Sequence, residues 1–238
     1  MESGRPYISV IIPALNEENY IMHPLKGLQA QLSGDFEIIV VDGKSSDGTM
    51  RMAKGIANKV IEEAASGVSA ARNAGAHEAS GDVLLFLDAD TRPGSGLISV
   101  YSKAFKESGI AAATGPIMPL EKSAMPMRMG YFIVSVLFVR LSILLGRPTI
   151  IGSNFAVRRS VFEKSGGFDK SMVTYEDWDL SQRLRKYGTV RYLGSAGVQT
   201  STRRIKEWGI YGFFKFYMGN IVRYNLFKKP KANYGPVR

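Results

Sequence analysis

Leu84-Leu85-Phe86-Leu87-Asp88-Ala89-Asp90 is an apolar run that ends abruptly in two carboxylates spaced i, i+2. A short apolar run of this kind is typical of a buried strand in a parallel sheet. The two acids therefore fall at the carboxyl end of a strand, where open α/β sheets bind their ligands. Carboxylates at the edge of a core need a counter-charge, and a divalent cation with oxygen ligands supplies one.

Asp88 and Asp90 therefore predict a metal site. Mg²⁺ or Mn²⁺ is usually held by one or two carboxylates together with the phosphates of a substrate. The predicted ligand is accordingly a phosphorylated one. The alternative interpretation is a turn at the strand end whose Asp side chains are solvated.

Length and composition limit the remaining choices. The chain has 238 residues, which is enough for one large α/β domain with a sizeable core. It contains no cysteine, which excludes a disulfide framework, thiol catalysis and a cysteine-based zinc site. No secretory apolar region precedes the first strand at residues 7–12, so we expect a cytoplasmic protein.

The net charge of +10 predicts an anionic partner. We expect no nucleic acid, because the chain has no signature of a DNA- or RNA-binding module. The final segment, residues 203–238, is rich in basic residues, and aromatic residues interleave with them at 208–217. Such a segment suits the cytoplasmic face of a membrane. The alternative is a C-terminal helix packed on the domain with a solvated basic face.

Apolar runs and helical segments alternate along the first part of the chain. Strands are expected at 7–12, 36–41, 60–62 and 83–87, and helices over about 18–32, 48–57 and 68–79. Asn16 is the expected cap of the first helix, and residues 46–49 offer caps for the second. This alternation predicts a mostly parallel sheet with helices on both faces.

The second part of the chain is less regular. Residues 111–118 predict a strand that leads into a loop rich in Pro and Met. Residues 129–146 are strongly apolar and approach the length of a transmembrane helix. Arg140 within them would be costly at the membrane midplane, so we favour a core helix or a membrane-surface helix over a span. The competing interpretation is a homodimer interface.

Three predicted strands end in polar loops, at 13–18, 42–48 and 88–90, which should share one edge of the sheet. Arg72, at the start of a predicted helix, could meet a phosphate or a base there. Residues 175–180 open another helix with three acids. Acids in a first helical turn are often only partners of the helix dipole, which is the alternative to a catalytic role.

Taken together, these motifs resemble family 2 glycosyltransferases, which have the Rossmann-like GT-A fold. Five ordered motifs across residues 7–193 carry the resemblance: ISVIIPALNEE, IIVVDGKSSDGT, GVSAARNAG, SGDVLLFLDAD and GSNFAVRRSVFEKSGGFDKSMVTYEDWDLSQRL. The family transfers a sugar from a nucleotide-sugar to an acceptor hydroxyl, with inversion at the anomeric carbon. We therefore expect a GT-A domain over residues 1–202, followed by a basic and aromatic helical extension over residues 203–238.

The resemblance also implies roles for particular residues. The nucleotide-sugar donor would be bound by Pro13, Ala14, Asn16, Glu17, Asp42, Arg72 and Asp88, with Arg203 or Arg204 on the departing diphosphate. Asp90 would ligate Mg²⁺ or Mn²⁺, and Asp88 would contribute to the metal shell. Asp177 matches the general base, with Glu176 beside it at the acceptor.

The chain departs from the family pattern at two places. Gly43 stands where the family often has a second acid, so a UDP-sugar and a GDP-sugar both remain open as donors. Residues 199–204 replace the segment in which many relatives have a metal-binding His. The alternative for Arg203 and Arg204 is a basic solvated turn.

Two other functions fit parts of the pattern. One is a non-catalytic nucleotide-sugar-binding protein of the same fold, against which the intact Asp90 and Asp177 argue. The other is nucleotidyl transfer, which predicts a Gly-rich loop after the first strand that residues 13–18 do not have. The apolar segment and the basic tail further predict peripheral membrane contact and a lipid-linked or membrane-proximal acceptor.

Overall fold

The computed structural model describes residues 7–31, 35–65, 67–172 and 174–209, with residues 211, 212, 215 and 219. The strands are β1 (Ile8–Ala14), β2 (Phe36–Asp42), β3 (Lys59–Glu62), β4 (Val83–Leu87), β5 (Thr91–Pro93), β6 (Ile110–Thr114), β7 (Ile117–Pro119), β8 (Asn154–Arg158), β9 (Thr189–Tyr192) and β10 (Val198–Thr200). The helices are α1 (Met22–Gln29), α2 (Thr49–Lys54), α3 (Val68–Glu78), α4 (Leu97–Phe105), α5 (Met125–Phe132), α6 (Val139–Leu144), α7 (Arg159–Lys164) and α8 (Glu176–Leu184). A π-helical segment, Ile133–Phe138, joins α5 to α6.

Residues 203–209, at the start of the predicted C-terminal extension, are helical. Most of that extension, including residues 220–238, lies outside the described residues. The division of the chain at residue 202 therefore stays a prediction.

The main sheet has seven strands in the order β3-β2-β1-β4-β8-β6-β9. All neighbouring strands are parallel except β8, which runs antiparallel to β4 and β6. A small second sheet has the order β5-β10-β7. The predicted mostly parallel α/β fold is confirmed, and the carboxyl ends of β1, β2 and β4 lie at one edge of the sheet.

The central strands are buried on both faces, which explains why their sequences are continuous apolar runs rather than alternating ones. Consecutive residues contribute to two separate cores. Leu85 packs in the core on one face, and its neighbour Phe86 packs in the core on the other face. On the second face α3 lies very close to the sheet, because a Cβ at Gly75 would come within 2.5 Å of the Ile11 side chain.

The first helix is shorter than predicted, and its predicted cap is wrong. It begins at Met22 instead of about residue 18, and Ile21 precedes it without a side-chain capping bond. The Asn16 side chain instead accepts a hydrogen bond from the Ser46 N–H at 2.8 Å. Asn16 has a φ of 54°, a left-handed conformation that Asn tolerates better than most residues. A contact between two loops therefore replaces the local capping that the sequence indicated.

Two expectations for the second part of the chain also need correction. The strand expected over residues 111–118 is two strands, β6 and β7, which belong to different sheets. The apolar segment forms one helix over Met125–Leu144, of which only Ser135, Val139 and Ser142 are buried. It is therefore not a core helix. By length and composition it could cross a membrane.

A buried carboxylate that the sequence did not reveal connects β1, β2 and the turn before β4. Glu37 accepts hydrogen bonds from the hydroxyls of Ser9 and Ser80, both at 2.6 Å, and from the Ser80 N–H at 2.7 Å. Burial by itself raises the pKa of Glu37, but the bonds from Ser80 and Ser9 outweigh it, and the pKa lies below its ordinary value. The Glu37 carboxylate thus links β1, β2 and the turn before β4 at a place far from the carboxyl edge of the sheet.

We expect Glu37→Ala to lower the free energy of unfolding by about 2–3 kcal/mol, because hydrogen bonds to a charged group are lost and buried donors are left unpaired. The loss should be full at neutral pH. It should shrink as the pH falls through the depressed pKa of the folded state, where the wild-type carboxylate is itself protonated. Urea denaturation at several pH values measures both effects. Glu62→Ala, at an exposed strand position, is the matched control, and an equal loss there would contradict this role of Glu37.

Candidate functional site

The first two loops at the carboxyl edge are tied together by hydrogen bonds. The Asn16 N–H donates to the Ser45 hydroxyl at 2.8 Å, and the Glu18 carboxylate accepts the Gly48 N–H at 2.8 Å. The predicted donor residues Pro13 and Ala14 end β1 and pair in register with Val41 and Asp42 of β2. These bonds hold both loops in one place before any ligand binds.

Asp42 lies at the end of β2 and is fully buried. One of its carboxylate oxygens, Oδ2, accepts the Ser45 N–H at 2.9 Å. The other, Oδ1, has no hydrogen-bond partner within the described part of the chain. A buried acceptor without a partner is costly, so Asp42 has the capacity to accept a hydrogen bond from a ligand.

Arg203 crosses from the segment after β10 to the first loop. Its guanidinium binds both carboxylate oxygens of Glu17, at 2.8 and 2.5 Å, and lies 3.3 Å from Oδ2 of Asp90. The same guanidinium lies over the Tyr20 ring, 4.6 Å from its centroid. The structure therefore brings together Glu17, Asp90 and Arg203, as the sequence predicted. Tyr20 was not predicted, and no sequence signal marked it.

Asp90 is a buried carboxylate in strongly acidic surroundings. The Thr200 hydroxyl donates to its Oδ1 at 3.2 Å. Burial, followed by the charge of Asp88, raises the pKa of Asp90 to about 7, and Arg203 opposes this only in part. A second positive charge at this place would be strongly favoured.

Arg72 connects the donor side of the site to the helix that carries the other acids. Its Nη2 donates to Asp88 at 2.9 Å and to the Gly152 carbonyl at 3.1 Å, and its Nη1 donates to Glu176 at 2.9 Å. The side chain is only 3% exposed. Arg72 is thus an internal counter-ion, and its predicted contact with the donor stays a prediction. A Cβ at Gly152 would lie 2.8 Å from Nη2, so a larger residue there would have to displace the Arg72 guanidinium from its partners.

Glu176 and Asp177 stand at the beginning of α8, directly after Tyr175 in a left-handed conformation. The Asp177 carboxylate accepts the Gly152 N–H at 2.9 Å and the Trp178 N–H at 2.7 Å. Burial raises the pKa of Asp177, and burial together with the adjacent Asp177 charge raises that of Glu176. Both carboxyls therefore titrate closer to neutral pH than ordinary acids, which suits a general base.

The Gly152 peptide is a site element that the sequence reading missed. Its N–H orients Asp177 and its carbonyl binds Arg72. The only sequence signal was the glycine that opens the fifth motif. Arg204, which the sequence paired with Arg203, lies against the Trp208 ring, with its guanidinium carbon 5.7 Å from the ring centroid.

A divalent cation fits the donor side of the site only with help from a ligand. Within the described residues no group of three or more His, Cys, Asp or Glu side chains converges on one point. Asp88 and Asp90 supply carboxylate oxygens, which suit Mg²⁺ or Mn²⁺ when a substrate's phosphates complete the shell. The acidic surroundings that raise the pKa of Asp90 favour such a charge.

Comparison with known proteins places this geometry in context. The profile of the family described as Glycosyl transferase family 2 matches residues 9–166. The chain is 31% identical over 200 residues to the probable glycosyltransferase YdaM of Bacillus subtilis. That match covers 77% of this chain but only 47% of YdaM, so the chain spans about half the length of this relative.

Two solved structures share the fold. A mannosyltransferase from Pyrobaculum calidifontis, solved in complex with GDP-Man and Mn²⁺, matches with a TM-score of 0.71 at 20% identity, over 97% of this chain and 67% of that one. TarS of S. aureus in complex with UDP-GlcNAc matches with a TM-score of 0.66 at 19% identity, over 82% of this chain and 58% of that one. The expected GT-A architecture is confirmed.

The burial of Arg72 leads to a stability prediction. We expect Arg72→Met to lower the free energy of unfolding by about 3–5 kcal/mol, since removing one partner leaves buried carboxylates uncompensated. Urea denaturation measures the loss. The control is Arg159→Met, which breaks an exposed i, i+4 pair with Glu163 and should cost only about 0.3–0.5 kcal/mol. A similar small cost for both variants would show that Arg72 does not hold the site together.

Proposed function

The chain belongs to glycosyl transferase family 2, and we propose that it transfers a sugar from a nucleotide-diphosphate sugar to an acceptor hydroxyl, with inversion at the anomeric carbon. One observation carries the proposal. The guanidinium of Arg72 binds Asp88 on the donor side and Glu176, the neighbour of the proposed base Asp177, on the acceptor side. An inverting transfer needs these two kinds of group on opposite faces of the sugar.

The donor would lie over the ends of β1 and β2. The free oxygen of Asp42 would accept a hydrogen bond from the nucleobase, because it is buried and has no partner among the described residues. Pro13, Ala14 and Asn16 would form the nucleoside pocket. The solved structures of the same fold bind GDP-Man and UDP-GlcNAc, so a UDP-sugar or a GDP-sugar is the proposed donor.

Asp88 and Asp90 would hold Mg²⁺ or Mn²⁺ together with the diphosphate. When bound, such a cation neutralises the charge that develops on the leaving diphosphate. Arg203 would serve the same diphosphate, because its guanidinium already lies at Asp90 and Glu17. To do so it must exchange at least one carboxylate partner for phosphate oxygens, which it binds with the same planar geometry.

Asp177 would act as the general base. Its two backbone hydrogen bonds orient the carboxylate and leave further lone pairs for the acceptor hydroxyl. As the acceptor oxygen attacks the anomeric carbon, its proton passes to Asp177, and the bond to the diphosphate breaks with its electron pair on the diphosphate. A single displacement of this kind inverts the anomeric centre. Glu176, held by Arg72, would position the acceptor beside the base.

The acceptor would be lipid-linked or membrane-proximal, and the protein would work at the cytoplasmic face of a membrane. The exposed apolar helix that ends close to Gly152 supports this location. Homodimer formation through the same helix is the competing explanation.

We expect Asp177→Asn to lower kcat by about 10²- to 10⁴-fold, because the amide is similar in shape but does not take up the proton. Donor affinity should be unchanged. Since burial raises the pKa of Asp177, wild-type kcat should rise with pH as this carboxyl loses its proton, above the ordinary range for Asp. Single-turnover assays with GDP-mannose and UDP-GlcNAc across pH values measure these effects.

The matched control is Asp179→Asn, two residues further along α8, where the carboxylate pairs with Arg183. This variant should keep nearly full activity. Undiminished turnover in Asp177→Asn would refute the base assignment. Donor binding without any transfer by the wild type would favour the non-catalytic alternative, and a product in which a nucleotidyl group has moved would favour nucleotidyl transfer.

Nucleotide-sugar binding should depend on the cation through Asp90. A ligand that binds only the folded state raises its Tm, so GDP-mannose or UDP-GlcNAc should raise the Tm more with Mn²⁺ than without it. We expect Asp90→Asn to abolish the additional increase. Asp35→Asn, at the amino end of β2, is the control and should retain it. If Mn²⁺ adds nothing for the wild type, the proposed metal assistance is wrong.

A further inference from the structure

The helix over Met125–Leu144, here called the apolar helix, turns its apolar side chains outward. It is strongly apolar, yet only Ser135, Val139 and Ser142 of its residues are buried. The large side chains exposed along it and just after it are Met125, Met129, Phe132, Ile133, Val134, Leu137, Phe138, Leu141, Leu144 and Leu145. A helix of a soluble domain usually does the opposite and buries its apolar stripe.

The inward face of the apolar helix is small and partly polar. Ser135 and Ser142 are buried there. The Ser135 hydroxyl bonds to the backbone of Ile117, and the Ser142 hydroxyl accepts the Thr149 N–H at 3.0 Å. The helix is thus attached to the domain by these hydrogen bonds and by the buried Val139, while its large apolar side chains are left for a different environment. An exposed apolar face of this size marks an interaction surface.

The attachment reaches from the middle of the helix to its end, which is incompatible with a transmembrane orientation of the helix in this fold. Ser135, near the middle, contacts β7, and Ser142, near the end, contacts the following loop. Arg140 also faces the domain, with its guanidinium 5.6 Å from the centre of the Tyr192 ring in β9. Only the outward side is available, which is the arrangement of a helix that lies in the plane of a membrane surface.

Charge identifies the partner as an anionic lipid surface. Between residues 122 and 162 the sequence contains no Asp or Glu, but it contains six cations: Lys122, Arg128, Arg140, Arg147, Arg158 and Arg159. Four of these, Lys122, Arg128, Arg140 and Arg147, are exposed, and Arg128 and Arg147 flank the apolar face. A second copy of the same surface would bring cations against cations. Anionic headgroups, in contrast, attract cations around a buried apolar face.

The apolar helix leads directly into the proposed acceptor side of the site. Leu144 is 82% exposed at its end, and the chain then runs through Pro148 to Gly152. The Pro148 carbonyl accepts the Ser181 hydroxyl of α8 at 2.7 Å, and the Gly152 N–H binds Asp177 at 2.9 Å. A surface seated on the apolar helix therefore lies next to the loop that orients the proposed base.

We propose that the apolar helix is a docking surface for an anionic lipid bilayer, in which it lies parallel to the membrane plane and presents the acceptor side of the site to the membrane. This inference rests on the proposed function only for the choice of acceptor. The docking itself rests on the exposed apolar face and its basic flanks.

Flotation of the full chain with lipid vesicles tests the docking. The wild type should float with vesicles of phosphatidylcholine and phosphatidylglycerol, and added salt should weaken this binding. Leu141→Glu places a charge on the apolar face and removes a Leu that the bilayer would bury, so vesicle affinity should fall by about tenfold or more. Because Leu141 is 52% exposed, this variant should fold normally.

The charge-matched control is Gln29→Glu, at an exposed position of α1, which should float like the wild type. The proposal is overturned if the wild type floats with neither these vesicles nor pure phosphatidylcholine, or if Leu141→Glu floats equally well. It is also overturned if the wild type is a stable dimer in size-exclusion chromatography that Leu141→Glu dissociates, without vesicle binding.

A second measurement on the same variants separates this proposal from the proposed function. The increase in Tm with Mn²⁺ and GDP-mannose or UDP-GlcNAc should be the same in Leu141→Glu and the wild type, because Leu141 is exposed and none of the proposed donor residues belongs to the apolar helix. Flotation without that increase would support docking and contradict the donor assignment. The increase without flotation would support the donor assignment and overturn docking.

Discussion

The site depends on the compensation of crowded negative charge by two arginines. Five acids gather at one edge of the sheet: Glu17, Asp88, Asp90, Glu176 and Asp177. Burial raises the pKa of Asp90, Glu176 and Asp177, which disfavours their charged forms. Arg72 binds Asp88 and Glu176 from inside the domain. Arg203 binds Glu17 and Asp90 from the segment after β10. Without these guanidiniums the carboxylates at this edge would repel one another.

The two arginines differ in what they are free to do. Arg72 is almost fully enclosed and also bonds to the Gly152 carbonyl, so it fixes the relative position of the two halves of the site. Arg203 reaches the acids from a short helical segment after β10 and stacks on Tyr20. A phosphorylated donor with its cation would replace part of its contacts. The interior arginine therefore provides a fixed frame, and the outer one provides a group that can exchange partners.

In our proposal one face of the domain contacts water and another contacts a lipid bilayer. The carboxyl edge of the sheet binds a charged, water-soluble donor, whereas the apolar helix offers a face that water solvates poorly. The loop from Leu145 to Gly152 joins the two and ends on the carboxylate proposed as the base. Transfer from a soluble donor to an acceptor at a membrane requires both surfaces on one molecule, and here they are neighbours along the chain.

The sequence alone determined the sheet, the edge at which the acids meet and the family, because a buried parallel strand has a continuous apolar run and its end is marked by polar residues. It predicted that the loops at 13–18, 42–48 and 88–90 share that edge, and the parallel pairing of β1, β2 and β4 confirms this. Only the tertiary structure decided their partners, since Arg72 and Glu176 are 104 residues apart and Glu17 and Arg203 are 186 apart. Likewise, Asn16 fits the pattern of a helix cap, but in the structure its side chain accepts a hydrogen bond from the Ser46 N–H. Residues 129–146 fit a core helix or a membrane-surface helix, and the structure decides against a core helix because Ser135 and Ser142 face inward and the large apolar side chains are exposed. Local patterns specify the strands, but pairing across long separations depends on how the strands are ordered in space.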